Sequence, residues 1–451
     1  MIKLYKKLPI FLQNIVLTIK NNQTYYLKFK AFPFINPLKK VYNNLDSNNW
    51  INDDNEIDRI NKLIKTAIEN VPYYIENKEK YNQINSLEDL KSIPILDKPT
   101  FKKRNKEFLS KLSNSSNTYY FKTSGSTGTP IKGGISLVEL NNRFFTFLAS
   151  LKKHNINYSN RVGRFLGAEV ASEKKVYRKD YINNHFLFSV YHISQDNIRK
   201  YFNAIVNHKI EIIEGYPSTI YAMVKLFKSN NLNISSVKNV LTTAEKLLDY
   251  QKEEIQSFFN CTVFDFYGSS EGSAYMFSYG DKFVNANKVA IIEVVDEKYN
   301  PVEPGTLGKM LVTSFTSSFT PLIRYDIGDY CVVSKSQSLN NNELLIDEII
   351  GRSEDVFETQ EGIVFTRFSL CLKYLPDSII ESQLRLKQRS KNVKVIYTKL
   401  NEEIKNINEF LPFEQKFTSM LGEDYVFEYE FVEKFNKASR GKLRAVIIEE
   451  E

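Results

Sequence analysis

Apolar residues recur at helical spacing between Asp54 and Asn70, where Ile57, Ile60, Ile64, Ala67 and Ile68 share one face and the pattern ends at Pro72. Ser136-Leu137-Val138-Glu139 reads as a capping box opening a helix through Leu151, with Phe144, Phe145, Leu148 and Leu151 turned to the core. The period then changes. Lys209 to Glu214 is a short β-branched run, followed by Gly215-Tyr216-Pro217-Ser218 and a helical stretch to Phe227. Asn239 to Thr243 is a second strand, ending in Ala244-Glu245 before a helix over Leu248 to Phe258. Cys261 to Tyr267 is a third, running into Gly268-Ser269-Ser270-Glu271-Gly272. This β-α-β-α-β order predicts a parallel sheet with right-handed crossovers. All three polar punctuations fall at the carboxyl ends of strands, where open α/β sheets bind ligands.

From Val289 the pattern becomes one of paired strands. Val289 to Val295 and Lys309 to Phe315 flank Asn300-Pro301-Val302-Glu303-Pro304-Gly305, a β-hairpin or small-barrel signature. Gly351-Arg352 opens a final section with strands at Ser382 to Lys387 and Val393 to Thr398, a helix at Glu402 to Leu411 and more strands near the end. The expected class is α/β. Residues 1–350 form a large domain of parallel α/β sheets with a small β-subdomain, and 351–451 form a small α+β domain. There is no internal repeat or low-complexity tract.

Composition adds limits. A chain of 451 residues with 42% hydrophobic content can bury one large core and a smaller one. Its net charge of +8, from 61 basic and 53 acidic residues without a long single-sign block, suits an anionic substrate or weak contact with acidic lipid. No basic-aromatic motif or recognition module points to nucleic acid. Cys261, Cys331 and Cys371 lie far apart, so neither a disulfide framework nor a structural zinc is expected, and a reducing, cytoplasmic setting is favoured. No apolar run is long enough to span a bilayer. The apolar stretch Leu8 to Leu17 follows Lys3, Lys6 and Lys7, but Gln13 and Asn14 interrupt it and no small-residue cleavage site follows. It reads as an amphipathic element that packs on the body or rests on a membrane face, so any membrane contact is peripheral.

Chemistry concentrates in a few loops. Thr123-Ser124-Gly125-Ser126-Thr127-Gly128-Thr129 combines hydroxyls with glycines in a glycine-poor chain, and free backbone N–H groups helped by hydroxyls are what a polyphosphate needs. It is not a Walker loop, since the lysine that should follow the second glycine is missing and Lys132 comes four residues later. Tyr267-Gly268-Ser269-Ser270-Glu271 offers an aromatic face, a hydroxyl and a carboxylate, a set that can stack a purine, touch a phosphate and hold Mg²⁺. Arg324-Tyr325-Asp326-Ile327-Gly328-Asp329 offers two carboxylates around a glycine turn, apt for ribose hydroxyls; the alternative is a charged turn with an Arg–Asp pair. Ser439-Arg440-Gly441-Lys442-Leu443-Arg444 puts a lysine on a glycine turn before a terminal strand. A serine hydrolase is disfavoured, because no G-x-S-x-G elbow is present and no histidine has a triad setting.

Read in order, with Val71-Pro72-Tyr73-Tyr74, Ile93-Pro94-Ile95-Leu96-Asp97-Lys98 and Leu241-Thr242-Thr243-Ala244-Glu245, these segments resemble the adenylate-forming superfamily. The closer resemblance is to its phenylacetate-CoA ligase-like branch, which includes CapK-type capsular polysaccharide biosynthesis proteins, and it runs from Leu8 to Val446. It implies ATP-dependent activation of a small-molecule carboxylate as an acyl-adenylate, then transfer to an acceptor. It also implies roles: Ser124 to Thr129 for the β- and γ-phosphates, Ala244-Glu245 and Tyr267-Gly268 for the adenine, Ser270 for the α-phosphate, and Glu271 for Mg²⁺. Asp329 and Arg352 would hold the ribose, Lys442 would bridge carboxylate and α-phosphate, and the small domain would swing about Glu354. Gly362 falls one residue later after Arg352 than in CoA ligases, and Glu358, Gln360 and Glu361 make that hairpin acidic. An amine or hydroxyl on a saccharide is therefore expected as acceptor, with CoA as the alternative. A reading from another class is a non-catalytic nucleotide-binding scaffold.

Overall fold

The computed structural model describes the chain except for residues 1–4, 6–7, 30–36, 48–54, 123–130, 168–174, 270, 337–343, 353–356, 359–363, 366–367, 388–389, 401–403, 405, 423, 438–440 and 450–451. In chain order the elements used below begin with helix α1 (Ile10–Phe29), helix α2 (Glu56–Asn70), strands β1 (Thr118–Lys122) and β2 (Lys132–Ser136), and helix α3 (Leu137–Lys153). Next come β3 (Val162–Phe165), β4 (Tyr177–Asp180), β5 (His185–Phe188), α4 (Ile198–Asn207), β6 (Ile212–Gly215), α5 (Pro217–Ser229), β7 (Asn239–Thr243), α6 (Asp249–Phe259) and β8 (Thr262–Gly268). The paired-strand region holds β9 (Tyr275–Tyr279), β10 (Lys282–Asn285), β11 (Ala290–Val295), β12 (Leu307–Ser314), β13 (Tyr325–Val333) and β14 (Leu345–Arg352). After the two-residue strands β15 (Phe357–Glu358) and β16 (Val364–Phe365) come β17 (Ile379–Lys387), β18 (Asn392–Lys399), α7 (Leu411–Leu421), β19 (Val426–Phe431) and β20 (Val446–Glu449).

The chain divides into two compact units. The first comprises residues 1–20, 160–265 and 352–451. Its larger sheet has the order β7-β6-β3-β5-β4, with β3, β5, β6 and β7 parallel and β4 antiparallel at the edge. The βαβ reading is borne out: α5 and α6 follow β6 and β7, and β8 lies beside β7 in the strand order. Phe165, Phe188, Tyr201, Ile213, Met223 and Val240 close its core. Residues 379–449 form a four-stranded sheet of order β19-β18-β17-β20, with α7 packed on it through Phe413 and Phe417. Of the helix expected at Glu402 to Leu411, residues 402, 403 and 405 lie outside the described residues and Ile407–Phe410 forms a short 3-10 turn; the α-helix proper begins at Leu411, because Pro412 suits a first helical turn, where its missing N–H costs nothing.

The second unit comprises residues 21–159 and 266–351. Its sheet has the order β11-β12-β13-β14-β10-β9 and ends on the last residues of β8. The expected strand pair is present as antiparallel β11 and β12, with Ile292 opposite Val312. Helix α2 buries Ile60, Leu63, Ile64 and Ala67 and ends at Asn70, just before Pro72 as expected; Pro72 then starts a second short helix, Pro72–Glu76. The α3 capping box is formed: Ser136 Oγ accepts from Glu139 N at 3.2 Å and Glu139 Oε2 accepts from Ser136 N at 3.3 Å.

Arg324 excludes the alternative reading of its segment: it directly precedes β13, which begins at Tyr325, and its ion-pair partner is Glu293, not a neighbouring aspartate. Arg324 is 3% exposed, pairs with Glu293 through Nε and Nη2 at 3.0 Å, and donates Nη1 to the Ile93 carbonyl at 2.8 Å. Removing one partner of a buried pair strands the other. Arg324→Ala should cost about 3 kcal/mol in denaturant unfolding, with Glu293 left desolvated and the Ile93 carbonyl unmatched.

Candidate functional site

In the first unit the focus lies at the carboxyl end of β7. Ala244 has φ of +69°, the left-handed region that costs a residue with a β-carbon about 1 kcal/mol. The turn brings its carbonyl 3.1 Å from the Lys442 Nζ donor, 198 residues away in sequence. Glu245 is half-buried and clasps the same loop, its Oε1 accepting from Leu443 N at 2.8 Å and its Oε2 from Ser218 N at 3.3 Å. Lys442 Nζ also stands 5.8 Å from the ring centroid of buried Tyr216.

The lysine loop is held on both sides. Downstream, Leu384 N donates to the Ala445 carbonyl at 2.8 Å and Gln383 Nε2 to the Arg444 carbonyl at 3.1 Å, tying it to β17. Upstream, Gly441 has φ of +79°, and a β-carbon there would come within 2.4 Å of Val190. Only glycine fits that approach.

In the second unit, Tyr267 at the end of β8 donates its hydroxyl to Asp329 Oδ2 at 2.6 Å. Gly268 pairs with Tyr275 across β8 and β9, and the turn that follows closes with Gly272 N donating to the Ser269 carbonyl at 2.8 Å. Glu271 on this turn is 5% exposed. Its carbonyl accepts from Arg143 Nη1 at 3.3 Å, while Arg143 Nε donates to Thr316 Oγ1 at 2.8 Å and Nη2 to the Thr316 carbonyl at 2.5 Å. Arg143 is 2% exposed; burial pushes its pKa down, against the raising effect of Tyr275 and Glu139, and the three oxygens satisfy its buried N–H donors. Gly272, at φ of +63°, lets the guanidinium lie flat, since a β-carbon would stand 2.0 Å from Nη1.

The structure thus brings Ala244, Glu245 and Lys442 together in one unit, and Tyr267, Asp329 and the Gly268–Glu271 turn together in the other. Arg352 ends β14, its side chain outside the description. Ser124, Gly125, Ser126, Thr127, Gly128, Thr129 and Ser270 lie outside the described residues; on either side of the hydroxyl-glycine segment, β1 and β2 pair antiparallel with Lys122 opposite Lys132. Sequence reasoning missed Arg143. Its one signal was a cation beside the apolar face of α3, and its partners are 128 and 173 residues distant.

Competing chemistries find little support. Burial pushes the thiols of Cys261 and Cys371 up to about 11 and about 12, and that of Cys331 higher still, away from nucleophilic thiolates. Ser189 Oγ lies 2.8 Å from His192 Nδ1, but it also accepts from Tyr191 N and so closes a local turn.

No family model matches the chain. Its sequence is 25% identical to Protein CapK of Staphylococcus aureus, over 98% of this chain and 98% of that protein. A stretch of 139 residues, 30% of this chain and 33% of the relative, is 31% identical to the indoleacetate–lysine synthetase of Pseudomonas savastanoi. The crystal structure of 2-hydroxyisobutyryl-CoA ligase in the postadenylation state, in complex with R3-HIB-AMP, matches with a TM-score of 0.70 at 16% identity, over 87% of this chain and 88% of that one. McyG A-PCP complexed with phenylalanyl-adenylate matches at 0.51 with 14% identity, over 74% and 66%. The fold is that of the adenylate-forming enzymes, as the ordered motifs implied. The resemblance to CapK extends over nearly the whole chain, and the relatives include ligases and synthetases.

Glu245 gives a test of this geometry. Loss of solvation raises its pKa above the ordinary 4.5, against the lowering effect of the Ser218 and Leu443 hydrogen bonds. Because the folded pKa exceeds the unfolded one, its stabilising contribution is full below the unfolded value and is lost as pH rises through the folded value. The melting temperature of Glu245→Gln relative to wild type should therefore climb from pH ~4 to pH ~7. A flat difference across thermal melts would mean that the carboxylate is not enclosed.

Proposed function

We propose that the chain is an ATP-dependent ligase that activates a small carboxylic acid as its acyl-adenylate and passes the acyl group to an amine or hydroxyl, in the cytoplasm and in the service of surface polysaccharide synthesis. One observation carries the reading: Lys442 is seated on the carbonyl of a left-handed Ala244 at a strand's carboxyl end, while the neighbouring Glu245 holds the backbone of the lysine loop. A strained strand end that captures a lysine from 198 residues away is costly unless the lysine's position is used.

In the first half-reaction a carboxylate oxygen attacks the α-phosphorus of ATP and pyrophosphate leaves. Positioning and charge stabilisation dominate such a step. Lys442 supplies a cation to the attacking carboxylate and the α-phosphate. Ala244-Glu245 and the Tyr267-Gly268 segment border the adenine, Asp329 and Arg352 take the ribose hydroxyls, and Ser270 takes the α-phosphate. Ser124 to Thr129 wrap the β- and γ-phosphates. Mg²⁺ suits a site with a single carboxylate, Glu271, because the ion keeps waters and takes its other ligands from substrate phosphates. Among the described residues no cluster of three or more His, Cys, Asp or Glu side chains could hold a metal by itself. Bound there, the ion would supply positive charge to the polyphosphate. Residues 351–451 act as the mobile domain that delivers and withdraws Lys442.

The CapK resemblance supports a saccharide acceptor, and the name of the indoleacetate–lysine synthetase supports an amine. The second reading is an acyl-CoA ligase, the activity named for the 2-hydroxyisobutyryl-CoA ligase whose fold is shared. Against CoA stands the sequence of the segment that the resemblance matches to the pantetheine-lining hairpin of CoA ligases, in which Glu358, Gln360 and Glu361 would offer a polyanion no cation.

Labelled pyrophosphate should exchange into ATP with at least one member of a carboxylic and amino acid panel. Lys442→Ala and Glu271→Gln should each lower that exchange by about 10²–10³-fold while the melting temperature stays near wild type. Exchange within a few-fold of wild type in Lys442→Ala would make this lysine a surface residue. For the acceptor, the protein incubated with ATP, its carboxylate and CoA should give no stoichiometric thioester by mass spectrometry. Rapid thioester formation would return it to the CoA ligases.

A further inference from the structure

The first turns of α1 are assembled with their polar side inward. Gln13, Asn14 and Thr18 are buried, and all three face the edge strand β4 and the residue after it. Gln13 Oε1 accepts from Arg178 Nε at 2.6 Å, Asn14 Oδ1 from Lys179 N at 3.2 Å, and Thr18 Oγ1 from Tyr181 N at 3.1 Å. The opposite face is apolar and open: Phe11 is 59% exposed, Ile15 41%, Val16 42% and Ile19 54%. At 100° per residue these four fall on one side of the helix, with Leu12 among them. A helix that satisfies its polar groups against a sheet edge and turns isoleucines to water needs a cover for that face.

Charge identifies the cover. The first acidic residue of the chain is Asp46, and eight lysines from Lys3 to Lys40 precede it, so residues 1–45 carry the whole net charge of +8 and the remainder is balanced. Lys175 and Lys179 stand beside the helix on β4 or just before it, with Tyr181 49% exposed next to them. Apolar residues on one face, lysines around them and a tyrosine at the margin are the recognition chemistry of an anionic lipid surface. A second copy of this chain would set one basic segment against another. We propose that Ile10–Ile19 is an interfacial docking element that rests on an anionic bilayer, with Phe11, Ile15, Val16 and Ile19 at the acyl boundary, Lys175 and Lys179 toward the headgroups, and the positive charge of residues 1–45 drawing the segment to the anionic surface. Among the described residues no helix is long and apolar enough to cross a membrane, so the element lies on the surface.

The test is flotation of the full chain with vesicles of phosphatidylcholine alone or mixed with phosphatidylglycerol, at low and high salt. The wild type should partition onto the anionic vesicles roughly tenfold more than onto the neutral ones, and high salt should release it. Phe11→Ser/Ile15→Ser/Ile19→Ser should lose that preference with a wild-type melting temperature, since these three side chains are exposed on the face away from β4, and Lys3→Gln/Lys6→Gln/Lys7→Gln, which removes three of the eight lysines that precede Asp46, should weaken it. Equal flotation of wild type on both vesicle types, no flotation at all, or retained flotation of the serine variant would each overturn the proposal. So would a concentration-dependent dimer in sedimentation equilibrium that the serine variant abolishes, because a second copy would then cover the face.

Discussion

Ala244 can offer its carbonyl to Lys442 only because it occupies the left-handed region at the end of β7. A residue in the extended conformation there would continue the strand and send both carbonyl and following carboxylate elsewhere. The same turn sets Glu245 against Leu443 N and Ser218 N, so one strained residue aligns contacts from three separate segments. The strain is offset by those hydrogen bonds and by the pairing of β20 with β17, which fixes the loop just downstream of the lysine. Gly441 is the complementary concession, since the loop passes too close to Val190 for any side chain.

The second unit rests on two desolvated guanidinium groups, and they serve different ends. Arg324 is matched to a carboxylate and to carbonyls of the segment before Asp97, so it fastens a long-range chain crossing. Arg143 takes a hydroxyl and two backbone carbonyls instead, and one of those carbonyls belongs to Glu271. A buried cation satisfied by backbone oxygens stiffens the turn without neutralising the carboxylate it carries, which suits a residue proposed to meet a metal ion and phosphates.

Local rules read a large part of this molecule correctly. The α3 capping box, the alternation of β6, α5, β7, α6 and β8, and the pairing of β11 with β12 rest on interactions within a few residues or on hydrophobic period. Such signals survive translation into structure because the physical cause lies inside the window that is read. One boundary was misplaced: the helix read as ending at Leu411 has only a 3-10 turn at Ile407–Phe410, and Pro412 opens α7 instead of closing a helix.

By itself the sequence determined α2, α3, the β6-α5-β7-α6-β8 run, the β11 and β12 pair, the two styles of sheet, the strand-end positions of Ala244-Glu245 and Gly268-Ser269, and the likeness to adenylate-forming enzymes. Tertiary structure alone decided which side chains meet. Arg143 finds Glu271 and Thr316, Arg324 finds Glu293 instead of a neighbouring aspartate, and Tyr267 finds Asp329. It also decided that α1 buries Gln13 and Asn14, the residues that interrupt its apolar pattern, and leaves its isoleucines outside. The reason is common to all four. A charged or polar group is buried only where partners satisfy it, and those partners come from strands and turns that no local window contains.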